Sequence, residues 1–507
     1  MERQRTRQVM LALTLAGGLL LTGCSGGDDG GRSTADSAKD GSYDSGFPAP
    51  DQPEGEQGHE ESRDQDSPER ESPDHLSTFA LDVDTASYGY ARRTLAEGRR
   101  PDPSTIRPEE FVNSFRQDYD RPDGNGFTVT VDGARTDRDD WSLVRVGLAT
   151  RSAAEESERP PAALTFVIDI SGSMAEPGRL DLARHSLDTM TERLRDDDSV
   201  ALVTFSDQAE TVLPMTRLGG HRDRVHEAVD SLEPTYSTNL GAGVETGYET
   251  AVEGLREGAT NRVVLISDAL ANDGETDPDA ILDRIDTARR EHGITLFGVG
   301  VGSDYGDALM ERLADKGDGH TVYVSGDDAE KVFCEQLPQN IDLTARDAKA
   351  QVAFDPETVA SFRLVGYDNR RVADDDFRDD RVDGGEVGPG HTVTALYAVR
   401  TRPGADGHLA TATVRWQDPK TRAPHEKSAG LETFDDSLRD ADPRFQVDAV
   451  AAYFADALRD GYAEDRLPGR PSMRELADWA DDLAGRTEDP AVGQLADTIR
   501  RARHLED

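Results

Sequence analysis

Thr165-Phe166-Val167-Ile168-Asp169-Ile170-Ser171-Gly172-Ser173-Met174 decides how this chain is read. The apolar run predicts a short buried strand, and it ends at an Asp-x-Ser-Gly-Ser turn that offers one carboxylate and two hydroxyls from a few residues of backbone. Such a turn can hold a hard divalent cation, because Mg²⁺ takes oxygen ligands, keeps several waters and needs few protein groups. The same serines could instead cap the next helix. On the motif alone the two readings stand level.

The surroundings of the turn favour the first reading. Apolar strands are expected at 164–168, 200–205, 262–267, 294–299 and 321–324, with helices at 180–194, 221–232, 240–253, 278–292, 307–316 and 328–337. Continuous apolar strands alternating with helices imply an α/β domain, a doubly wound and mostly parallel sheet covered on both faces. Ligands of such sheets bind outside the carboxyl ends of the strands, where Asp169 stands. Two more oxygen-bearing loops fall at that edge. Thr235-Tyr236-Ser237-Thr238-Asn239-Leu240-Gly241 leads into a helix, and Val263-Val264-Leu265-Ile266-Ser267-Asp268 is an apolar strand ending in an acid.

With these three loops the region resembles a von Willebrand factor type A domain with a complete metal-ion-dependent adhesion site. The resemblance implies that Ser171, Ser173 and Thr238 coordinate the ion directly, while Asp169 and Asp268 act through water and hydrogen bonds. It implies Mg²⁺, or Mn²⁺ or Ca²⁺ in its place, and a protein partner that completes the shell with an acidic side chain. Ala269 stands where the family usually has Gly, which can shift the third loop but removes no ligand. With mostly neutral direct ligands the ion keeps much of its charge, which suits capture of a carboxylate better than hydrolysis. The expectation is therefore a binding module and not an enzyme.

A narrower resemblance extends beyond this domain. Asp82-Val83-Asp84-Thr85-Ala86-Ser87-Tyr88 before it, and Gly366-Tyr367-Asp368-Asn369-Arg370 and Gly390-His391-Thr392-Val393-Thr394-Ala395-Leu396-Tyr397 after it, are similar to a group of bacterial lipoproteins that carry the domain between a short leader and a C-terminal region. The amino terminus agrees. Arg3, Arg5 and Arg7 precede an apolar stretch from Val9 to Leu21 that is too short to span a bilayer. Leu21-Thr22-Gly23-Cys24 resembles a lipobox, which implies cleavage after residue 23, acylation of Cys24 and a lipid anchor at the extracytoplasmic face of the cell membrane. Two or more acyl chains would anchor it stably.

Residues 24–76 are rich in Gly, Ser, Asp, Glu and Pro and are expected to form a disordered acidic tether. Its reach as a flexible coil is on the order of 40 Å. Helices and strands are expected over 77–160, the α/β domain over 161–337, an antiparallel β region over 338–424 and a helical region over 425–507. The strands at 127–131 and 141–148 make no core alone, nor do those at 349–354, 361–367, 392–400 and 411–416. They are expected to join into one β-sandwich with the α/β domain inserted in it. Helices are expected at 445–458, at 472–483 behind a Ser472/Glu475 capping box, and at 491–502.

The net charge of −44 argues against nucleic-acid binding, which needs basic patches. Cys24 and Cys334 are the only cysteines, and Cys334 reads as an inert buried thiol within a helix. Two alternatives to the binding module remain. One is a Mg²⁺-dependent hydrolase using Asp82 or Asp169. Asp82-x-Asp84 resembles the nucleophile loop of haloacid dehalogenase-type phosphatases only thinly, since Ala86 departs from the pattern, and Asp84 or Thr85 capping a helix is the plainer reading. The other is an envelope scaffold with a non-essential metal site. Gly298-Val299-Gly300-Val301-Gly302 fails the dinucleotide pattern at Ser303, and Asp374 to Glu386 fails a calcium loop at Arg378.

Overall fold

A computed structural model describes residues 75–505, apart from 82–83, 138–139, 153–158, 269–277, 302–312, 314–319, 325–342, 369, 381, 383, 405, 460–466 and 470. The helix expected at 307–316, apart from buried and helical Leu313, the helix expected at 328–337, Cys24, Asp82 and Cys334 lie outside the described residues.

Strands β4 (Ala162–Asp169), β5 (Ser199–Phe205), β6 (Ala209–Arg217), β7 (Thr260–Ser267), β8 (Thr295–Val301) and β9 (His320–Val324) form one sheet in the order β6-β5-β4-β7-β8-β9. All neighbours are parallel except β5 and β6. The chain winds from central β4 outward through β5 to β6, then returns to β7 on the other side, so the carboxyl ends of β4, β5 and β7 meet at the switch point. Alternation within β4 divides the core. Leu164, Phe166 and Ile168 pack toward helix α3 (Leu180–Arg193) and helix α4 (Arg222–Asp230), while Val167 packs toward helix α5 (Leu240–Glu253) and helix α6 (Pro278–His292). Gly243 and Gly247 let α5 lie close on the sheet, since a Cβ on either would overlap Phe205 or Val167. That approach seats the amino end of α5 beside the end of β4.

The remaining strands build a sandwich around this domain. Strands β2 (Phe127–Arg135) and β3 (Trp141–Thr150) join β11 (Val359–Leu364) and β13 (Thr392–Thr401) in the order β11-β13-β3-β2. The facing sheet runs β1 (Leu76–Ala80), β10 (Ala345–Phe354), β14 (Ala410–Gln417), β15 (Pro424–Leu431), with β12 (Gly385–Val387) on β10. Phe79, Phe127, Val146, Val352, Tyr397 and Val414 share the core between the sheets. Strands on both sides of the α/β domain thus form one sandwich, as expected. The expected strands 361–367 and 411–416 correspond to β11, which ends at Leu364, and to β14.

Helices cover the other face of the β3/β13 sheet. Helix α7 (Pro443–Leu458) is buried along nearly its whole length by α1 (Ala86–Ala96), α2 (Pro108–Asn113), α8 (Met473–Thr487), α9 (Pro490–His504) and the sheet residues Leu143, Leu396 and Ala398. The capping box at α8 forms, with Ser472 accepting from the Glu475 amide and Glu475 accepting from the Ser472 amide. The amino end of α1 differs from expectation. Thr85 makes no side-chain cap hydrogen bond, and the Ser87 amide donates to Glu110 Oε2 at 2.7 Å instead. Asp84 is buried and lies 3.3 Å from Arg370. Gly298 to Val301 lie within buried strand β8, and Asp374 opens a 3-10 turn whose carboxylate accepts from Thr78 at 2.6 Å. Among the described residues no helix is long and apolar enough to cross a membrane.

Candidate metal centre

Asp169 ends β4 with its side chain wholly buried, and both of its oxygens are held. Oδ1 accepts from the Ser171 amide at 2.8 Å and Oδ2 accepts from the Ser267 hydroxyl at 2.6 Å. Burial pushes its carboxyl up to about 6 against these hydrogen bonds, and the charge of Asp268 adds in the same direction. A site that presses two buried carboxylates together is one that a cation would stabilise.

The two serines of the turn do not cap helices. Ser171 precedes a 3-10 turn, Gly172–Ala175, and makes no side-chain cap hydrogen bond, while α3 begins behind Arg179. The hydroxyls of Ser171 and Ser173 lie 3.0 Å apart instead. The second loop is tied to this turn by its backbone. The Thr235 amide donates to Ile170 O and the Asn239 amide to Ser206 O, each at 2.6 Å, and Asn239 caps α5 through the Ala242 amide. Ser237 takes a positive φ of 66°, and Thr238 beyond it is buried. Asp268 closes the third side. Its Oδ2 accepts from Arg179 Nη1 at 2.8 Å, whereas its Oδ1 is buried with no hydrogen-bond partner.

That orphaned oxygen, two carboxylates and three hydroxyl side chains fit a hard cation with oxygen ligands. Among the described residues no three His, Cys, Asp or Glu side chains gather as a metal-ligating group, so the donor set here depends on its hydroxyls. Ser171, Ser173 and Thr238 would hold the ion, and Asp169 and Asp268 would orient its waters.

Comparison with known proteins fits this fold. Residues 163–336 match the von Willebrand factor type A domain, residues 340–503 match the family described as "Uncharacterized protein YfbK, C-terminal", and residues 56–144 match a family described as von Willebrand factor. The protein YfbK of Escherichia coli (strain K12) is 34% identical over 454 residues, covering 84% of this chain and 77% of its own. The chain belongs to the YfbK family. Inter-alpha-trypsin inhibitor heavy chain H3 of Homo sapiens is 26% identical over 197 residues, 37% of this chain and 22% of its own length. A solved von Willebrand factor type A protein from Catenulispora acidiphila is 15% identical, covering 74% of this chain and 89% of its own with a TM-score of 0.47.

In this YfbK-family chain two side chains belong to the site that motif reading did not identify. Ser267 holds Asp169, and only the parallel pairing of β4 with β7 reveals the contact. Arg179 carries a sequence signal. It occupies the N-cap position of α3, where the helix dipole disfavours a cation, so its placement needs another reason. The reason is a set of acceptors: Ser173 O at 3.0 Å, Asp268 Oδ2 at 2.8 Å and Glu176 Oε2 at 2.9 Å.

Proposed function

We propose that the chain is a lipid-anchored envelope protein that captures a protein partner through a divalent cation, with a carboxylate of the partner completing the coordination shell. The observation that carries this reading is the buried Asp268 Oδ1 with no hydrogen-bond partner, in a site whose two serine hydroxyls bond each other and cap nothing. Such an oxygen is costly to bury unless a ligand uses it. The ion would be Mg²⁺, or Mn²⁺ or Ca²⁺ in its place. It supplies an electrophile that an incoming Glu or Asp can bind.

The rim suits an encounter with another protein. Gly172, Ala175 and Glu176 of the first loop and Pro234 and Thr235 of the second are exposed, and Tyr236 is 88% exposed. A rigid, amphipathic aromatic beside a charged centre is a common interface anchor. Cys24 would hold the chain at the extracytoplasmic face of the membrane, and the acidic segment after it would let the domain reach outward.

The test is affinity capture from envelope extracts with and without Mg²⁺, using wild type and Asp169→Ala. Partner recovered only by wild type with the ion supports the reading, and equal recovery in all arms sinks it. Separately, Cys24→Ser should move the protein from the membrane to the soluble fraction. Continued membrane association would remove the anchor from the account.

A further inference from the structure

Arg179 is more than a strut. It lies at the start of α3 with its side chain 3% exposed, and it joins the first loop to the third by donating to Ser173 O and Asp268 Oδ2. Permanent charge in so buried a position is rare unless it answers another charge. Asp268 is that charge, wholly buried at the site. Glu176, the other carboxylate on Arg179, lies 2.9 Å away but is 66% exposed, and solvation weakens its hold on the guanidinium.

Two buried carboxylates, Asp169 and Asp268, would formally offset a divalent ion and leave the loaded site neutral. The buried guanidinium leaves it with one positive charge. We infer that Arg179 sets the charge of the loaded site, weakening retention of the cation while strengthening capture of a carboxylate from the partner. This rests on the cation-site reading above and assigns the attraction for the acid to a particular side chain of this chain. Arg179 also occupies only Oδ2 of Asp268, which leaves Oδ1 turned to other use. A purely structural strut would behave differently. Its loss would loosen Asp268 and weaken metal binding, whereas loss of a repelling charge should tighten it.

The experiment uses the whole chain, with Mn²⁺ as the probe ion and glutarate as a probe carboxylate. Mn²⁺ affinity is measured by calorimetry, and displacement of bound water by glutarate is followed by water-proton relaxation. Arg179→Met should bind Mn²⁺ about tenfold more tightly and glutarate about tenfold more weakly, as expected for one nearby charge in a partly desolvated site. Arg179→Lys should behave like wild type on both readouts. Circular dichroism of the Mn²⁺-loaded proteins establishes that each is folded, and if Arg179→Met is not, Arg179→Gln replaces it. Weaker Mn²⁺ binding by the folded neutral variants, or unchanged glutarate binding, would overturn the inference. Absence of Mn²⁺ binding by wild type would instead overturn the cation-site reading beneath it.

Discussion

Arg262 Nη2 of β7 lies 3.2 Å from Glu386 Oε2 of β12, and both side chains are withdrawn from solvent. This pair ties the inserted domain to the sandwich. Its two ends are not equivalent, because Glu386 also has Arg346 3.5 Å away, whereas Arg262 Nη1 has no hydrogen-bond partner. Removing the acid therefore strands a buried cation, and removing Arg262 leaves the acid with a second counter-ion. Glu386→Gln should cost about 3 kcal/mol in urea unfolding. Arg262→Met should cost less, and the reverse order would show that the pair does not carry the junction as described.

The inserted domain should be separable from its host. Its two connections leave neighbouring points of the sandwich, since Arg151 O accepts from Gly390 N and Thr344 N donates to Val387 O. Replacing residues 152–343 by a short Gly-Ser linker should leave a folded remnant that melts cooperatively. Truncation before α7 should not, because that helix is itself core, with Phe445, Val450 and Phe454 fully buried. Phe454→Ala alone should cost about 3 kcal/mol. A folded, cooperative truncation product would contradict the assignment of α7 to the core.

Stability should fall as pH rises through neutrality. Burial pushes the Glu109 carboxyl up to about 7, although its own amide, the Tyr367 amide and the Arg107 charge oppose the shift. A carboxyl whose pKa is raised by folding holds its proton more tightly in the native state, so native stability increases as pH drops from above the folded value toward the unfolded one. Asp448, pushed up to about 7 chiefly by burial, acts in the same direction. Between pH 8 and pH 6 wild type should gain about 1 kcal/mol from Glu109, a gain that Glu109→Gln lacks. Urea midpoints at the two pH values measure this, and parallel curves for the two proteins would contradict it.

How far the sequence could be read depended on how strongly each segment declares itself. The central strands were plain because β4, β5, β7 and β8 are apolar on both faces. Edge strand β6 was not identified. It is half exposed and carries Pro214, which a strand tolerates at an edge. Strand β15, Pro-His-Glu-Lys-Ser-Ala-Gly-Leu, has little strand propensity and exists because β14 offers it a backbone partner along its length. The two flanking motifs near Asp84 and Arg370 gave no hint of each other. The fold sets them side by side, with the Ala80 amide on Arg370 O, the Val372 amide on Thr78 O and an Asp84–Arg370 ion pair. At the candidate site, the loops alone named Asp169, Ser171, Ser173, Thr238 and Asp268 as candidates. Ser267 and Arg179 required knowledge of which strands pair and which way a buried guanidinium turns.

Divalent-cation binding tests the central claim most directly. Calorimetric titration of chelator-treated protein with Mg²⁺ and with Mn²⁺, wild type beside Asp169→Ala, should show saturable binding of one ion per wild-type chain and none to the variant, with both proteins folded by circular dichroism. Equal binding by the two proteins, or no saturable binding by wild type, would contradict the account.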